Sequence, residues 1–470
     1  MYPQQGGPLK AEFHISLKDA AGLCGGTVIA GDPGTLVKSV SSDSRDLGEA
    51  SLFIPLVGER FDGHDFIARL AAEKKIAAFL TMKKEHAEIA DSTGVPAVLC
   101  ADTLAALGSL ASGHRQKINC RVIGITGTNG KTTTKELLHA MLSSRYTTLK
   151  NIKNYNNEIG VPFTLISLDP GHEFAVIEMG MNHSGELDRL SRIVRPDISV
   201  ITNVGEGHLE FLGSVENVAY AKAEIMHGMQ PGSLIFINRD STCFDILMGQ
   251  AEKFSLRVKT FGLDSTADIF PSAYRLLPES IEVVLSGVSL KAPLCGIHNV
   301  YNLIAALSVA LELGMDAGGI QPSLDSFENI SGRSQIINRE YSVIDDTYNA
   351  NPLSTKYALR SISEIFPGRR KIAVLSDMKE LGAHAPSYHY SCGREAVERG
   401  VDLLYLWGEM AQEYRKGALK AGMPEESLRV FESKDDLARS LKKEIRSGDV
   451  ILVKGSRSMK MEEIVRDITG

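Results

Sequence analysis

Arg121-Val-Ile-Gly-Ile-Thr-Gly-Thr-Asn-Gly-Lys-Thr-Thr-Thr134 is the stretch from which the fold can be read. An apolar run, Val122 to Ile125, enters a glycine turn. From Lys131 the residues Leu137, Leu138, Met141 and Leu142 recur at helical spacing. Strand, glycine turn, Lys-Thr and helix are the parts of a phosphate cradle. Gly127 and Gly130 let backbone N–H groups converge, with Thr128 and Asn129 between them. The helix N-terminus adds partial positive charge, Lys131 reaches outer phosphates, and the Thr132 hydroxyl can hold Mg²⁺. The strict P-loop pattern needs glycine at position 125, where this chain has Ile125, so the match is to the shorter form Gly-Thr-Asn-Gly-Lys-Thr.

Outward from this stretch, the 470 residues suggest two or three domains, and 43% hydrophobic residues suffice for sizeable cores. A net charge of −7 gives no support to nucleic-acid binding. The six cysteines are scattered without a C-x-x-C pair and read as reduced thiols of a cytoplasmic protein. The polar N-terminal stretch lacks an apolar signal core, and no apolar run approaches a membrane span.

The expected architecture is α/β in three units. Residues 1–115 read as a small mixed α/β domain. Its polar loops Ser41-Ser-Asp-Ser-Arg45 and Gly58 to His64 are either turns or holders of a polar ligand; Ser44 and Arg45 can donate to a diphosphate. A polar stretch, 112–119, reads as a linker. In 116–332, strands at 121–126, 174–178, 198–203 and 233–237 alternate with helices, which predicts a mostly parallel sheet. The short runs between 257 and 292 read as an antiparallel addition. In 333–470, five strands alternate with five helices, a Rossmann-like doubly wound pattern.

Polar clusters fall at the ends of these strands. Glu178 ends an apolar strand and is either a magnesium ligand or a solvent-facing acid. His208 lies in a glycine-flanked loop and is chemically ambiguous, since magnesium prefers oxygen. Lys222 lies on a helix, where a solvated lysine is the ordinary reading. Four asparagines lie between Asn151 and Asn157, Asn156 and Asn157 among them. Asn299 and Asn302 share a helix face, where they can read an adenine edge or cap the helix. Arg333 sits at the junction of units two and three. Asp345, Asp346, Asn349 and Asn351 follow the first strand of unit three.

In order, Gly127-Thr-Asn-Gly-Lys-Thr-Thr133, Asn156-Asn-Glu-Ile-Gly-Val-Pro162, Glu178-Met-Gly180, Gly207-His-Leu-Glu210, Ala221-Lys-Ala-Glu-Ile225, His298-Asn-Val-Tyr-Asn302 and Gly332-Arg333 resemble the Mur ligases, ATP-dependent amide-forming enzymes of peptidoglycan synthesis. The resemblance spans nearly the whole chain. Asp345 to Pro352, Asp377-Met-Lys-Glu-Leu-Gly382 with Ser387 and His389, and Lys454 to Met459 resemble the branch that adds D-alanyl-D-alanine to UDP-N-acetylmuramoyl-tripeptide. The resemblance implies ATP contacts from the 127–133 loop (Lys131 and Thr133 included), Asn299, Asn302, Arg333 and Asp346. It implies one magnesium on Thr132 and Glu178, and a second near His208 and a carbamate on Lys222. Lys131, Lys222 and Asp346 become the catalytic candidates; Ser44, Arg45, Asn156, Asn157, Asn349 and Asn351 become the substrate candidates. A cytoplasmic monomer is expected. The alternatives are the sibling that adds the third amino acid, a folyl- or amino-acid-polymer ligase, and a non-catalytic nucleotide-binding module. Lys153 and Ser376 stand where the family often has glycine.

Overall fold

A parallel strand buried on both faces needs apolar residues in both directions, and Arg121–Thr126 has them: Val122, Ile123 and Ile125 are fully buried. In the computed structural model, which describes residues 10–58 and 60–470, this strand is central to an all-parallel sheet. The polar N-terminal residues 1–9 and position 59 of the Gly58 to His64 loop lie outside the described residues. The strand order is Arg257–Phe261, Leu234–Asn238, Ile198–Ile201, Arg121–Thr126, Phe174–Glu178, Thr148–Lys150. The chain leaves Arg121–Thr126 for one side of the sheet and later returns to the other, so the P-loop opens at a topological switch point, where αβ sheets bind ligands. The helix behind it, Lys131–Ser143, buries Leu137, Leu138, Met141 and Leu142 against the apolar helix Ile297–Glu312.

The antiparallel addition is the sheet Ala273–Leu276, Ile281–Leu285, Val288–Ala292. Arg257–Phe261, expected with it, instead pairs in parallel with Leu234–Asn238 at the edge of the main sheet.

The N-terminal sheet has the order Lys10–Ser16, Leu36–Ser41, Ser51–Phe53, Ala78–Thr81, Ala97–Leu99, Thr27–Ala30. Its four inner strands are parallel and both edges antiparallel. The loops 42–45, 54–64 and 82–86 therefore leave one C-terminal edge. Ser16 caps the helix Leu17–Leu23, its hydroxyl accepting from the Asp19 N–H at 3.1 Å.

The first half of the polar stretch expected as a linker, 112–115, is helix. Thr103–Arg115 runs on through it because its polar residues are used: His114 Nε2 lies 2.7 Å from the Leu168 carbonyl, and Arg115 donates to Asp197 at 2.9 Å. Gly108 has Ile193 where a Cβ would stand, so the helix lies flat on the central unit.

The C-terminal sheet has the order Gln335–Asn338, Ser342–Asp346, Val450–Lys454, Lys371–Ser376, Leu403–Trp407, Leu428–Phe431 and is parallel except for its first strand. Asp346 and Lys454 end adjacent strands, with Lys454 Nζ 2.5 Å from Asp346 Oδ2. This places both on the face turned toward Arg333 and the P-loop.

Candidate active site at the P-loop

Two glycines make the loop possible. Gly127 has φ +147°, and a Cβ there would stand 1.9 Å from Thr202 Oγ1; Gly130 has φ +82°, and a Cβ would stand 2.0 Å from Asn302 Oδ1. The tip is then tied to the next strand's loop. The Thr128 N–H donates to Asn203 O and the Asn129 N–H to Asn203 Oδ1, both at 2.9 Å. The Asn129 carbonyl accepts from Thr202 Oγ1 at 2.6 Å and Asn203 Nδ2 at 3.1 Å. What remains open is the N-terminal turn of Lys131–Ser143, whose first N–H groups have no intrahelical acceptor. Lys131 Nζ donates to Gly127 O at 2.8 Å and to Thr128 O at 3.3 Å.

Glu178 is not a solvent-facing acid. It is buried. Oε1 accepts from Asn156 Nδ2 at 2.7 Å, while Oε2 has no hydrogen-bond partner. The Asn151 amide brackets its backbone, accepting from the Glu178 N–H at 3.0 Å and donating to its carbonyl at 2.9 Å. Fully buried Lys135 stands 3.8 Å from Oε2 and donates to the carbonyls of Asn151 at 3.0 Å and Lys153 at 2.7 Å. One carboxylate oxygen is thus held fixed and the other presented free, which suits a hard cation.

Lys222 is not solvated either. Its side chain, near the end of helix Val215–Ala223, is fully buried and Nζ has no partner. Burial, and next the charge of Lys131, push its pKa well below the ordinary lysine value. Burial likewise lowers Lys131, with Glu178 opposing and Arg333 adding to the shift. His208, in the turn before Leu209–Leu212, has φ +56° and a Nδ1 2.7 Å from Glu380 Oε2, although off the line of a good hydrogen bond. Burial lowers its pKa, against Glu380 and together with Lys222 and Lys131. Charge interactions thus link Lys131 to Glu178, Glu380 and Arg333, and His208 to Lys222, Lys131 and Glu380.

The third unit reaches the same place. Arg333 donates to Thr132 Oγ1 at 2.9 Å and lies 3.9 Å over the Tyr348 ring. Asp346 accepts from the Ser334 N–H at 3.1 Å as well as from Lys454. Asn351 and Asn129 exchange amide hydrogen bonds at 2.8 and 3.2 Å.

The comparisons with known proteins bear on this arrangement. Residues 125–310 match the model described as Mur ligase middle domain, 332–457 the Mur ligase glutamate ligase domain, and 36–115 the Mur ligase family catalytic domain. The UDP-N-acetylmuramoyl-tripeptide–D-alanyl-D-alanine ligase of Bacillus subtilis (strain 168) is 36% identical over 445 residues, covering 92% of this chain and 93% of its own. The chain belongs to the Mur ligase family. A crystal structure of MurF from Acinetobacter baumannii superposes with TM-score 0.89 at 30% identity, covering 97% of this Mur ligase and 99% of that chain. The MurF ligase of Thermotoga maritima in complex with ADP gives 0.80 at 26% identity, covering 91% and 96%.

Several expected substrate and nucleotide residues have structural partners in this Mur ligase. Asn157 Oδ1 accepts from the Ile159 and Gly160 N–H groups where the helix Gly160–Ile166 begins. Asn156 orients Glu178. Asn299 and Asn302 share a face as expected, but both are buried; Asn302 Nδ2 donates to Asn299 Oδ1 at 2.9 Å, and Asn299 Nδ2 donates to Cys295 O at 2.7 Å. Asn299 therefore supports Asn302, which borders the loop at Gly130. Asn351 caps Pro352–Ile365 besides pairing with Asn129, and Asn349 Oδ1 accepts from the Ala350 N–H. Ser44 and Arg45 lie in the first unit's edge loop. Arg45 is largely exposed and paired with Asp43 at 2.8 and 2.9 Å. Beside them, burial works to raise the Asp62 pKa, but bonds from the His64 N–H, the His64 ring and Lys83 outweigh it and hold it at about 2.

Lys153 takes φ +50°, the left-handed conformation that glycine adopts freely, which explains the family's preference there. Ser376 is absent from the positive-φ residues and donates to the Trp407 carbonyl at 2.7 Å. Sequence reasoning gave no role to Lys135, Asn203 or Glu380, whose partners lie far along the chain, although Glu380 lies in the Asp377 to Gly382 motif.

Gly130→Ala is expected to cost at least ~2 kcal/mol, from a forced positive φ and a clash with Asn302. Thermal melting and nucleotide titration check this: the melting point falls and ADP affinity drops. A variant melting and binding like the parent contradicts the loop geometry described.

Proposed function

We propose that this Mur ligase joins D-alanyl-D-alanine to UDP-N-acetylmuramoyl-tripeptide at the expense of ATP. The observation that carries the reading is the convergence of an open helix N-terminus, Lys131, a free Glu178 oxygen and a partnerless buried Lys222 on one spot. The likeness to ligases named for that reaction supports the choice of substrates. In the reaction, the tripeptide's terminal carboxylate oxygen bonds to the γ-phosphorus of ATP as the bond to ADP breaks. The dipeptide's amine nitrogen then attacks the acyl carbon, and phosphate leaves.

The residues fit the groups this requires. Thr132 Oγ1 and Glu178 Oε2 would hold one magnesium, and His208 with a carbamylated Lys222 a second; bound phosphate oxygens complete such sites. Magnesium there supplies charge neutralisation for the phosphates. The orphaned amine of Lys222 is the argument for the carbamate. Its nitrogen bonds to the carbon of CO₂ and releases a proton, which turns an unpaired amine into an anion beside Lys131. Lys131 orients and neutralises the transferring phosphoryl group. Arg333 and Asp346 approach from the third unit as nucleotide contacts.

We assign residues 1–115 to the uridine nucleotide, 116–332 to ATP and 333–470 to the dipeptide. We propose that the enzyme acts as a monomer. Six free cysteines fit the reducing cytoplasm. Among the described residues no helix is long and apolar enough to cross a membrane.

Mass spectrometry of the product tests the substrate choice. Offered D-alanyl-D-alanine and free diamino acids together, the enzyme is expected to add only the dipeptide to the UDP-sugar tripeptide. Addition of a single amino acid to a UDP-sugar dipeptide would favour the sibling reaction. Domain closure on binding is checked by solution scattering: a smaller radius of gyration with ATP analogue and tripeptide is expected, and an unchanged envelope contradicts it.

A further inference from the structure

Two residues with side chains, one on each side of the interface between the central and C-terminal units, occupy the left-handed backbone region and face each other. His208 has φ +56° and Glu380 φ +64°. That region disfavours any residue with a Cβ, and such outliers persist where surroundings over-determine them. Glycines lie close by, at Gly207 and Gly382, yet the strained positions carry an imidazole and a carboxylate. Glu380 Oε2 stands 2.7 Å from His208 Nδ1. The backbone reinforces the contact: the Glu210 N–H donates to the Glu380 carbonyl at 3.0 Å, and Gly382 lies so close that a Cβ would stand 3.1 Å from the Glu210 Cα.

The loop bearing Glu380 is braced from behind. Asp377 accepts from the Glu409 N–H at 3.1 Å, the Met410 N–H at 2.9 Å and Lys379 Nζ at 2.9 Å. The Met378 N–H donates to His389 Nε2 at 2.9 Å, and His389 Nδ1 donates to Ala385 O at 2.6 Å. The Lys379 N–H donates to Ser456 Oγ at 2.9 Å. Glu380 is therefore held on a braced loop of the C-terminal unit and faces His208 of the central unit. A carboxylate on one ring nitrogen of histidine sets the ring's orientation and leaves the other nitrogen for a cation.

We infer that Glu380 is a positioning residue for His208, so that docking of the C-terminal unit completes the His208 side of the metal site; this rests on the phosphoryl-transfer reading above. Glu380 touches neither phosphate nor peptide in this assignment and acts through the imidazole. The consequence is that the second cation binds tightly only when the two domains meet.

The test is Glu380→Gly, which removes the carboxylate, relieves the positive φ and leaves the backbone link to Glu210. Mn²⁺ binding in the presence of a non-hydrolysable ATP analogue is followed by electron paramagnetic resonance, beside steady-state kinetics and thermal melting. The variant is expected to melt within about 2 °C of the parent or higher, to bind the weaker Mn²⁺ about 10–100-fold less tightly, and to lose kcat with a smaller change in KM for the dipeptide. Glu380→Gln, which keeps an acceptor oxygen at the same reach, should recover part of the Mn²⁺ affinity. An isotherm for Glu380→Gly superimposable on that of the parent overturns the inference, as does a Glu380→Gln variant no better than glycine. A parent enzyme that releases no phosphate with both substrates defeats the functional reading separately, while its Mn²⁺ isotherms still judge Glu380.

Discussion

Lys222→Ala should lower kcat by about 10³-fold or more while leaving the protein folded, because it removes the group proposed to serve as a buried anion. The expectation follows from burial. An amine fully enclosed without a hydrogen-bond partner is unfavourable as a cation, and Lys131 makes it more so. An alanine in that place is easily accommodated by a helix, so stability should not fall with activity. Short carboxylates such as acetate or formate should restore part of the rate by lying where the carbamate would. Lys222→Arg should not be rescued by CO₂, since guanidinium does not form a carbamate under these conditions. Buffers stripped of CO₂ should lower the parent's rate and bicarbonate should restore it. Full activity in Lys222→Ala would remove the carbamate from the account.

Lys131→Met is the second large effect, a fall in kcat of about 10²–10³-fold. Lys131 Nζ bonds only to carbonyls of its own loop, Gly127 and Thr128, so methionine should keep the fold while losing the cation over the phosphates. If the lysine acts mainly as phosphoryl charge moves, kcat falls more than KM for ATP rises. Stopped-flow phosphate release distinguishes the two. A variant with normal kcat and a raised KM would reduce Lys131 to a ground-state binding residue, and unchanged kinetics would remove it from the chemistry.

The buried strands were readable because residues such as Val122, Ile123 and Ile125 leave no polar face, and the strand–glycine–helix order around Gly127 is a local signal. The antiparallel edges were not. Lys10–Ser16, Thr27–Ala30 and Gln335–Asn338 are partly exposed, and each mixes polar with apolar residues. The polar end of Thr103–Arg115 looked like a linker because its packing uses His114 and Arg115 hydrogen bonds in place of apolar area. Within the site, Lys131 and Thr132 follow from their spacing to the glycines. Glu178, His208 and Lys222 lie on separate elements, and only family resemblance joined them; the burial of Glu178 and Lys222 and the unpartnered Glu178 Oε2 and Lys222 Nζ are visible in three dimensions alone. Lys135 had no signal, and Glu380, though inside the Asp377 to Gly382 motif, had nothing local to tie it to His208; each matters through a residue distant in sequence, Glu178 and His208 respectively.

The measurement that bears most directly on the central claim is phosphate release from ATP with magnesium and UDP-N-acetylmuramoyl-tripeptide, with and without D-alanyl-D-alanine. The account predicts sustained release, matched mole for mole by pentapeptide, only when the dipeptide is present. ATP binding with no dipeptide-dependent release would contradict it and leave the chain a nucleotide-binding module.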